Sequence, residues 1–398
     1  MISSTIRYLF DALAHTLFKK VPPSKPVDLD ETSFYKTALN HGISGIVYYA
    51  IKDEKALKEE TMRRFERDCY QTVQRSADQQ YNLKKVIEVL NLHEINHVLM
   101  KGEVLRQIYP YPDMRQMGDV DMLVNEEDLP KIHELMKNIG FHFVSESDNH
   151  HVFVKSGLMI EFHNKLMPSR HPIWEDFFQS AFENTILLRE STYQFTYEYH
   201  LVYLIAHIAK HFKSQGSGIR SIFDIAVYIH AYDSLIDYSL VREYLRALHL
   251  TQFFDTVIEL VYRWFHVESA RFDANHILND SLYEEVTQFI LQCGTYGYSD
   301  ENRGDAVSVG IEADKANSSI QKGRIRYIWR LAFPKASALR YKYKYLNKRP
   351  WLLPIAWAKR FWNLIFKRRN KAKRIRNVFT KDDDIRKIMN MYRSIGLL

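Results

Sequence analysis

The chain has 398 residues, enough for two or three domains at about 150 residues each. Its apolar content of 46% excludes wholesale disorder. The formal charge of +7, from 55 Lys and Arg against 48 Asp and Glu, hides a division. Residues 322–376 hold 19 basic side chains and no acid, leaving 36 basic against 48 acidic side chains elsewhere, a net of −12. Cys69 and Cys293 lie far apart and outside any CxxC pattern, which excludes a zinc ribbon or disulfide framework and suits a reducing cytoplasm. The N-terminal stretch lacks the continuous apolar core of a signal peptide, and no run of about 18 uncharged apolar residues predicts a membrane span. The expectation is a soluble or peripheral protein.

Residues 1–93 read as a helical region. Pro22, Pro23 and Pro26 separate a first amphipathic helix from one starting near Asp30 and Glu31, and roughly 53–92 read as a long helix with one buried stripe. Residues 94–190 change texture into an α/β core. INHVLM is a short apolar run closed by Lys101-Gly102, and YPYPDMRQMG is a loop on its proline content. DVDMLV alternates as a strand does, Asn125 is placed to cap a helix that stops at Gly140, and FHFVSES, HHVFVKS and LMIEFHNKL follow as strands. Ser156-Gly157 is the expected hairpin turn between the last two. Residues 191–320 read as helical again, with QGSG as a break and the polar segment 295–319 as a mobile loop. Residues 321–398 form a basic, aromatic-rich tail.

The sharpest chemical signal is Asp119-Val120-Asp121. On a strand, Asp119 and Asp121 share one face, about 7 Å apart, while Val120 and Met122 point to the core. Such a pair is either a clamp for a hard divalent cation such as Mg²⁺ or a solvated strand face. Glu161 lies between Ile160 and Phe162 and joins the pair if its strand lies beside DVDMLV. Lys101-Gly102 ends a strand and opens a helix, where backbone N–H groups and the helix dipole favour phosphate; it reads equally as a plain turn. Arg115 is placed to hold a triphosphate or to stand solvated in its loop.

Taken together, LMKGEVL, YPYPDMRQMGDVDMLV, GFHF and HHVFVKSGLMIEFH resemble the nucleotidyltransferase fold of the DNA polymerase β superfamily. More narrowly, they resemble a bacterial, uncharacterised nucleotidyltransferase family found among polysaccharide-synthesis genes. LIAHIAKHF, GSGIRSIFDIAVYI and PWLLPIAWAKRFW extend the likeness over most of the chain. The resemblance implies an α+β class: a polymerase-β-like core, a mixed sheet with flanking helices, between helical N- and C-terminal regions. It implies that Asp119, Asp121 and Glu161 are catalytic and coordinate two Mg²⁺ ions, with Mn²⁺ as a substitute, and that Lys101, Gly102 and Arg115 bind the nucleotide. The Lys-Gly turn departs from the superfamily's Gly-Gly or Gly-Ser, and Glu103 follows directly.

The implied reaction moves a nucleoside monophosphate from an NTP to an acceptor hydroxyl with release of pyrophosphate. The acceptor is open among a saccharide, a lipid-linked molecule, RNA and protein. The rival reading is an inactive protein of this fold that binds a nucleotide, a lipid-linked saccharide or RNA.

His163 of the Glu-x-His strand, His207, His211 and Arg220 are candidates to line the cleft. His207 and His211 share a helix face, which also serves packing or metal binding, although the Glu of HExxH is missing. Asn149, His150 and His151 read as a polar loop edge. In the tail, residues 340–376 interleave aromatics with Lys and Arg. That pattern suits an anionic membrane surface on the cytoplasmic side, packing on the protein's own body, or nucleic acid.

Overall fold

The computed structural model describes residues 2–18, 23–53, 57–169, 171–214, 216–267, 278–295, 297–298, 301–336, 339, 343–367 and 382–398. These residues form two compact units, Met1–Ile208 with Gly218–Thr295 and Ala209–Ser217 with Tyr296–Leu398.

The first unit opens with helices α1 (Ser4–Phe18), α2 (Glu31–Asn40), α3 (Ser44–Ile51) and α4 (Glu59–Leu92). The Asp30 side chain caps α2 by accepting the N–H groups of Thr32 and Ser33, which satisfies donors that a helix start leaves open. The α4 stripe of Leu83, Val86 and Leu90 is buried in the sheet core with Val120, Met122, Ile160 and Phe162.

Strand β1 (His97–Leu99) leads into α5 (Gly102–Ile108), and β2 (Val120–Val124) is followed by α6 (Leu129–Asn138). Then come β3 (His142–Glu146), β4 (His150–Lys155), β5 (Leu158–His163), α7 (Pro172–Phe178), β6 (Thr185–Arg189) and β7 (Thr192–Phe195). The seven strands form one mixed sheet in the order β3-β4-β5-β2-β1-β7-β6. Strand β2 runs parallel to β5 and antiparallel to β1, and β1 runs parallel to β7. The β4–β5 hairpin turns at Ser156 and Gly157, both at positive φ, as expected of that dipeptide. Strand β6 closes the stretch expected as α/β core, and β7 lies just beyond it, where a return to helices was expected.

Helices α8 (Tyr197–Phe212), α9 (Ile219–Tyr232), α10 (Tyr238–Ala247), α11 (Thr251–Phe265) and α12 (Asp280–Leu291) follow. Phe10 of α1 stacks on Trp264 of α11 with ring centroids 4.4 Å apart, joining the N-terminal helices to the later ones.

The second unit contains α13 (Glu301–Lys315), α14 (Ile320–Ala332), α15 (Leu353–Lys367) and α16 (Asp382–Ser394). Helix α13 corrects the loop expected over 295–319. Its polar, glycine-containing sequence lacks an obvious apolar stripe, yet Ala306, Val307, Val309 and Ala313 are buried. Small residues allow close approach: a Cβ on Gly310 would stand 2.6 Å from Met389 Sδ, and one on Gly323 would stand 2.7 Å from Ala313 Cβ. Buried Asp305 accepts a 2.6 Å hydrogen bond from Tyr327. In the basic tail, Trp357 of α15 donates to the Pro334 carbonyl and packs on Phe333. Residues 368–381 of the tail lie outside the described residues.

Candidate active site

In the parallel register of β2 and β5, Asp121 stands directly beside Glu161. Paired positions of adjacent strands present their side chains to the same face, so the two carboxylates converge because the apolar residues flanking each are locked into the core. All five residues of β2 are buried, so Asp121 faces a covered side of the sheet. Asp119, one residue before β2, is exposed at the mouth of the cluster.

Charge within the cluster is unevenly balanced. Lys101 Nζ donates to Asp121 Oδ1 at 2.8 Å, and His163 Nε2 lies 2.7 Å from the same oxygen. Burial opposes the Asp121 carboxylate, but Lys101 and His163 outweigh it and hold its pKa well below the ordinary value. Burial likewise opposes the Lys101 ammonium, and Asp121, Tyr203 and Asp119 together keep its pKa above that of a free lysine. Asp119 moves the other way. The surrounding protein atoms, then the charges of Asp121 and Glu161, push its pKa up to about 6 against the pull of Lys101. Burial also opposes the Glu161 carboxylate, and contact with His163 and the nearby His150 leaves its pKa lowered.

The strand-to-helix turn is held from several sides. Lys101 adopts φ 45°, ψ −117°, a region that favours glycine. His200 of α8 accepts the Lys101 backbone N–H through Nε2 at 3.2 Å, and burial lowers the His200 pKa to about 3, keeping the ring neutral. That N–H, expected to be open to phosphate, is therefore already used. Glu103 and Arg106 form a buried pair at 2.8 Å on the following turn.

Gly102 serves a steric purpose. A Cβ there would lie 2.5 Å from Arg115 Nη1 and 3.1 Å from Met117 Cε. Arg115 is clamped by Asp224 of α9 through two 2.8 Å hydrogen bonds, and Tyr109 donates to the same carboxylate at 2.7 Å. The loop expected to hold a solvated or phosphate-seeking arginine thus positions a half-buried one paired with Asp224, with Lys101, Gly102 and Arg115 brought together.

Among the cleft candidates, His163 lies within the carboxylate cluster. Arg220 donates from Nη1 to the Gln116 carbonyl at 2.8 Å, bracing the loop between Arg115 and Asp119. His207 is half-buried on α8, its ring 6.1 Å from that of Tyr203. His211, one turn further and also half-buried, falls among residues of the second unit.

His150 and His151 open β4, the strand expected from HHVFVKS, but His150 is more than a polar edge: its Nε2 comes within 3.8 Å of Glu161. Sequence reading missed Tyr109, the approach of His150 to Glu161 and the pairing of Arg115 with Asp224, because each contact is made by tertiary register and leaves no local pattern. A separate cavity of about 420 Å³ lies at the other end of β2 and β5, lined by Asn125, Asn164, Lys165, Met167 and Glu175 among others. Asp119, Asp121 and Glu161 are not among its lining residues.

Carboxylates on neighbouring strands of a mixed sheet, beside a strand-to-helix turn and flanked by helices, are consistent with a nucleotidyltransferase fold. The sequence model of the family described as "Uncharacterised nucleotidyltransferase" matches residues 28–266, and the chain belongs to that family. A search of the curated proteins finds no match.

Proposed function

We propose that the protein is a Mg²⁺-dependent nucleotidyltransferase that moves a nucleoside monophosphate from an NTP to an acceptor hydroxyl. The observation that carries this reading is the register pairing of Asp121 with Glu161, with Asp119 at the mouth of the same cluster. The donor set fits hard divalent cations, which take carboxylate oxygens. The charges of Asp121 and Glu161 both disfavour the Asp119 carboxylate, and a cation held among the three would relieve that repulsion. Asp119, Asp121 and Glu161 would hold two Mg²⁺ ions, or Mn²⁺ in their place.

Bound divalent cations supply charge neutralisation at the entering and leaving oxygens of an in-line displacement. The acceptor oxygen bonds to the α-phosphorus, the bond from that phosphorus to the bridging oxygen breaks, and pyrophosphate leaves. Glu161, partly exposed, takes the acceptor's proton. Lys101 and Arg115 bring positive charge to the turn at Gly102, where the triphosphate would lie, and Asp224 keeps Arg115 from drifting. Positioning and fixed charge account for most of the work in such transfers.

The acceptor class stays among saccharide, lipid-linked molecule, RNA and protein. One observation favours the rival reading of a binding protein without turnover: the Lys101 ammonium already sits on Asp121. A panel of α-labelled NTPs with Mg²⁺ and cell-extract acceptors separates the two. Turnover requires that Asp119→Asn and Asp121→Asn each reduce pyrophosphate release at least 100-fold with unchanged circular dichroism, an effect of about 3 kcal/mol on the barrier. Undiminished activity in both variants sinks the proposal, and nucleotide binding without pyrophosphate release establishes the rival.

The tail suggests where the enzyme works. Trp351, Ile355 and Trp362 are exposed at or on α15, which also carries Lys359 and Arg360. Exposed aromatics interleaved with basic residues suit the interface of an anionic bilayer.

A further inference from the structure

The geometry points to a second kind of metal site at the edge of this cluster. We propose that His150, Glu161 and His163 bind a first-row transition-metal dication of the Zn²⁺ type, selected over Mg²⁺ by its two imidazoles.

His150 and His163 face each other directly across the antiparallel pair β4–β5. Glu161 lies two residues before His163 and therefore on the same face. Its Oε2 is 3.8 Å from His150 Nε2 and 3.4 Å from His163 Nε2, and one ligand atom from each residue falls within 4.8 Å of the other two. Metal–ligand bonds of about 2.1 Å at tetrahedral or octahedral angles place neighbouring donors about 3.0–3.4 Å apart. Ligation through His163 Nε2 would take the place of the contact that this atom makes with Asp121 Oδ1 at 2.7 Å.

The outer contacts of His150 orient it for this role. Its Nδ1 lies 3.0 Å from Ser147 Oγ and 3.3 Å from Asn149 Oδ1. Ser147 Oγ also donates to Asn149 Oδ1 at 3.1 Å. A ring proton on Nδ1 satisfies this arrangement, and it leaves the Nε2 lone pair aimed at the Glu161 carboxylate. Two electron-rich groups facing each other across 3.8 Å repel unless a cation stands between them. An outer hydrogen bond that fixes the tautomer of an imidazole is the usual support of a ligating histidine.

The donor set decides the ion. Imidazole suits Zn²⁺, Co²⁺ and related ions, whereas Mg²⁺ keeps oxygen ligands and water. Because it shares Glu161 with the Mg²⁺ reading, the site rests in part on the same cluster, but the two fail separately.

The test is a titration of the untagged, metal-free full chain with Co²⁺, followed by its visible d–d absorption and by equilibrium dialysis. One Co²⁺ per chain should bind and persist in millimolar Mg²⁺. His150→Ala and His150→Gln should each weaken binding at least 10-fold, with melting temperature and circular dichroism unchanged. Ser147→Ala should weaken it less, about 10-fold at most, since it removes only an outer contact. Asp119→Asn should leave Co²⁺ binding intact while reducing pyrophosphate release. Equal Co²⁺ affinity in wild type and both His150 variants overturns the site, as does full displacement by Mg²⁺. A wild-type chain that binds no Co²⁺ yet releases pyrophosphate normally would overturn this site and spare the transferase reading; one that binds Co²⁺ and releases none would do the opposite.

Discussion

Lys101 is a non-glycine residue in a backbone region that glycine occupies freely. Such a conformation costs on the order of 1–3 kcal/mol and persists only where surrounding contacts over-determine it. Here they are the hydrogen bond to His200 and the ion pair with Asp121. Its neighbour Gly102 is constrained by packing instead. The atom that a new Cβ would strike is the end of an arginine, normally able to move aside, but Asp224 clamps this one. Gly102→Ala should therefore destabilise the chain by about 1–3 kcal/mol, as overpacking does, read from denaturant unfolding. Asp224→Asn should cost about 3–5 kcal/mol, because removing one partner strands a buried charge. A change below about 0.5 kcal/mol in both would show that the clamp does not constrain Arg115. The sequence made Asp119, Asp121 and Glu161 legible, since each carboxylate interrupts or adjoins an apolar strand. It could not disclose the clamp: Arg115 and Asp224 are 109 residues apart, and each alone reads as an ordinary polar residue.

At the level of elements, strands with strict alternation were readable and those set by context were not. Residues 120–124 and 158–163 announce themselves by pattern. Strand β7 has only four residues and takes its identity from pairing with β1 and β6. Helix α13 was hidden because its small buried residues reward close packing, which local polarity does not report. One helix start carries a pH dependence. His41 is buried before α3, and its Nδ1 accepts the Ile219 N–H at the beginning of α9 at 3.1 Å. Burial pulls its pKa down to about 4 against the hydrogen bond to the Leu291 backbone. In the unfolded chain it would titrate near 6.5. Between these values the unfolded chain takes up a proton that the folded chain refuses, so stability falls as pH drops from 6.5 to 4. The shift corresponds to about 3 kcal/mol. Calorimetric melting over that range should fall more steeply in wild type than in His41→Asn; parallel curves would remove His41 as the cause. Buried His97 and His200, also held below the ordinary value, contribute in the same direction.

Over the whole molecule, the charge division seen in the sequence follows the chain into its second unit, which includes the described part of the acid-free run. No helix among the described residues is long and apolar enough to cross a membrane. Association through α15 would thus be at a surface and sensitive to salt. Full-length protein should co-sediment with vesicles containing anionic phosphatidylserine and not with neutral phosphatidylcholine vesicles. Trp351→Ala combined with Trp362→Ala should weaken that association about 10-fold or more, since each exposed indole removes a large apolar anchor from the interface. Equal sedimentation of variant and wild type would discard the surface role, and selective retention on RNA would replace it with nucleic-acid binding.

The 2.8 Å contact between Lys101 and Asp121 gives the cluster a resident counter-ion. Occupation of the Asp121 Oδ1 atom is consequently an exchange. Under the proposed function, a cation arriving at that atom would displace the ammonium together with the His163 ring, and the freed ammonium would seek an anion within reach of its own four-carbon stem. A bare cation leaves that second demand unmet, whereas a cation that arrives with a polyphosphate satisfies both at once. Through this one lysine, the affinities for the two halves of such a ligand would become mutually dependent if the proposed function holds.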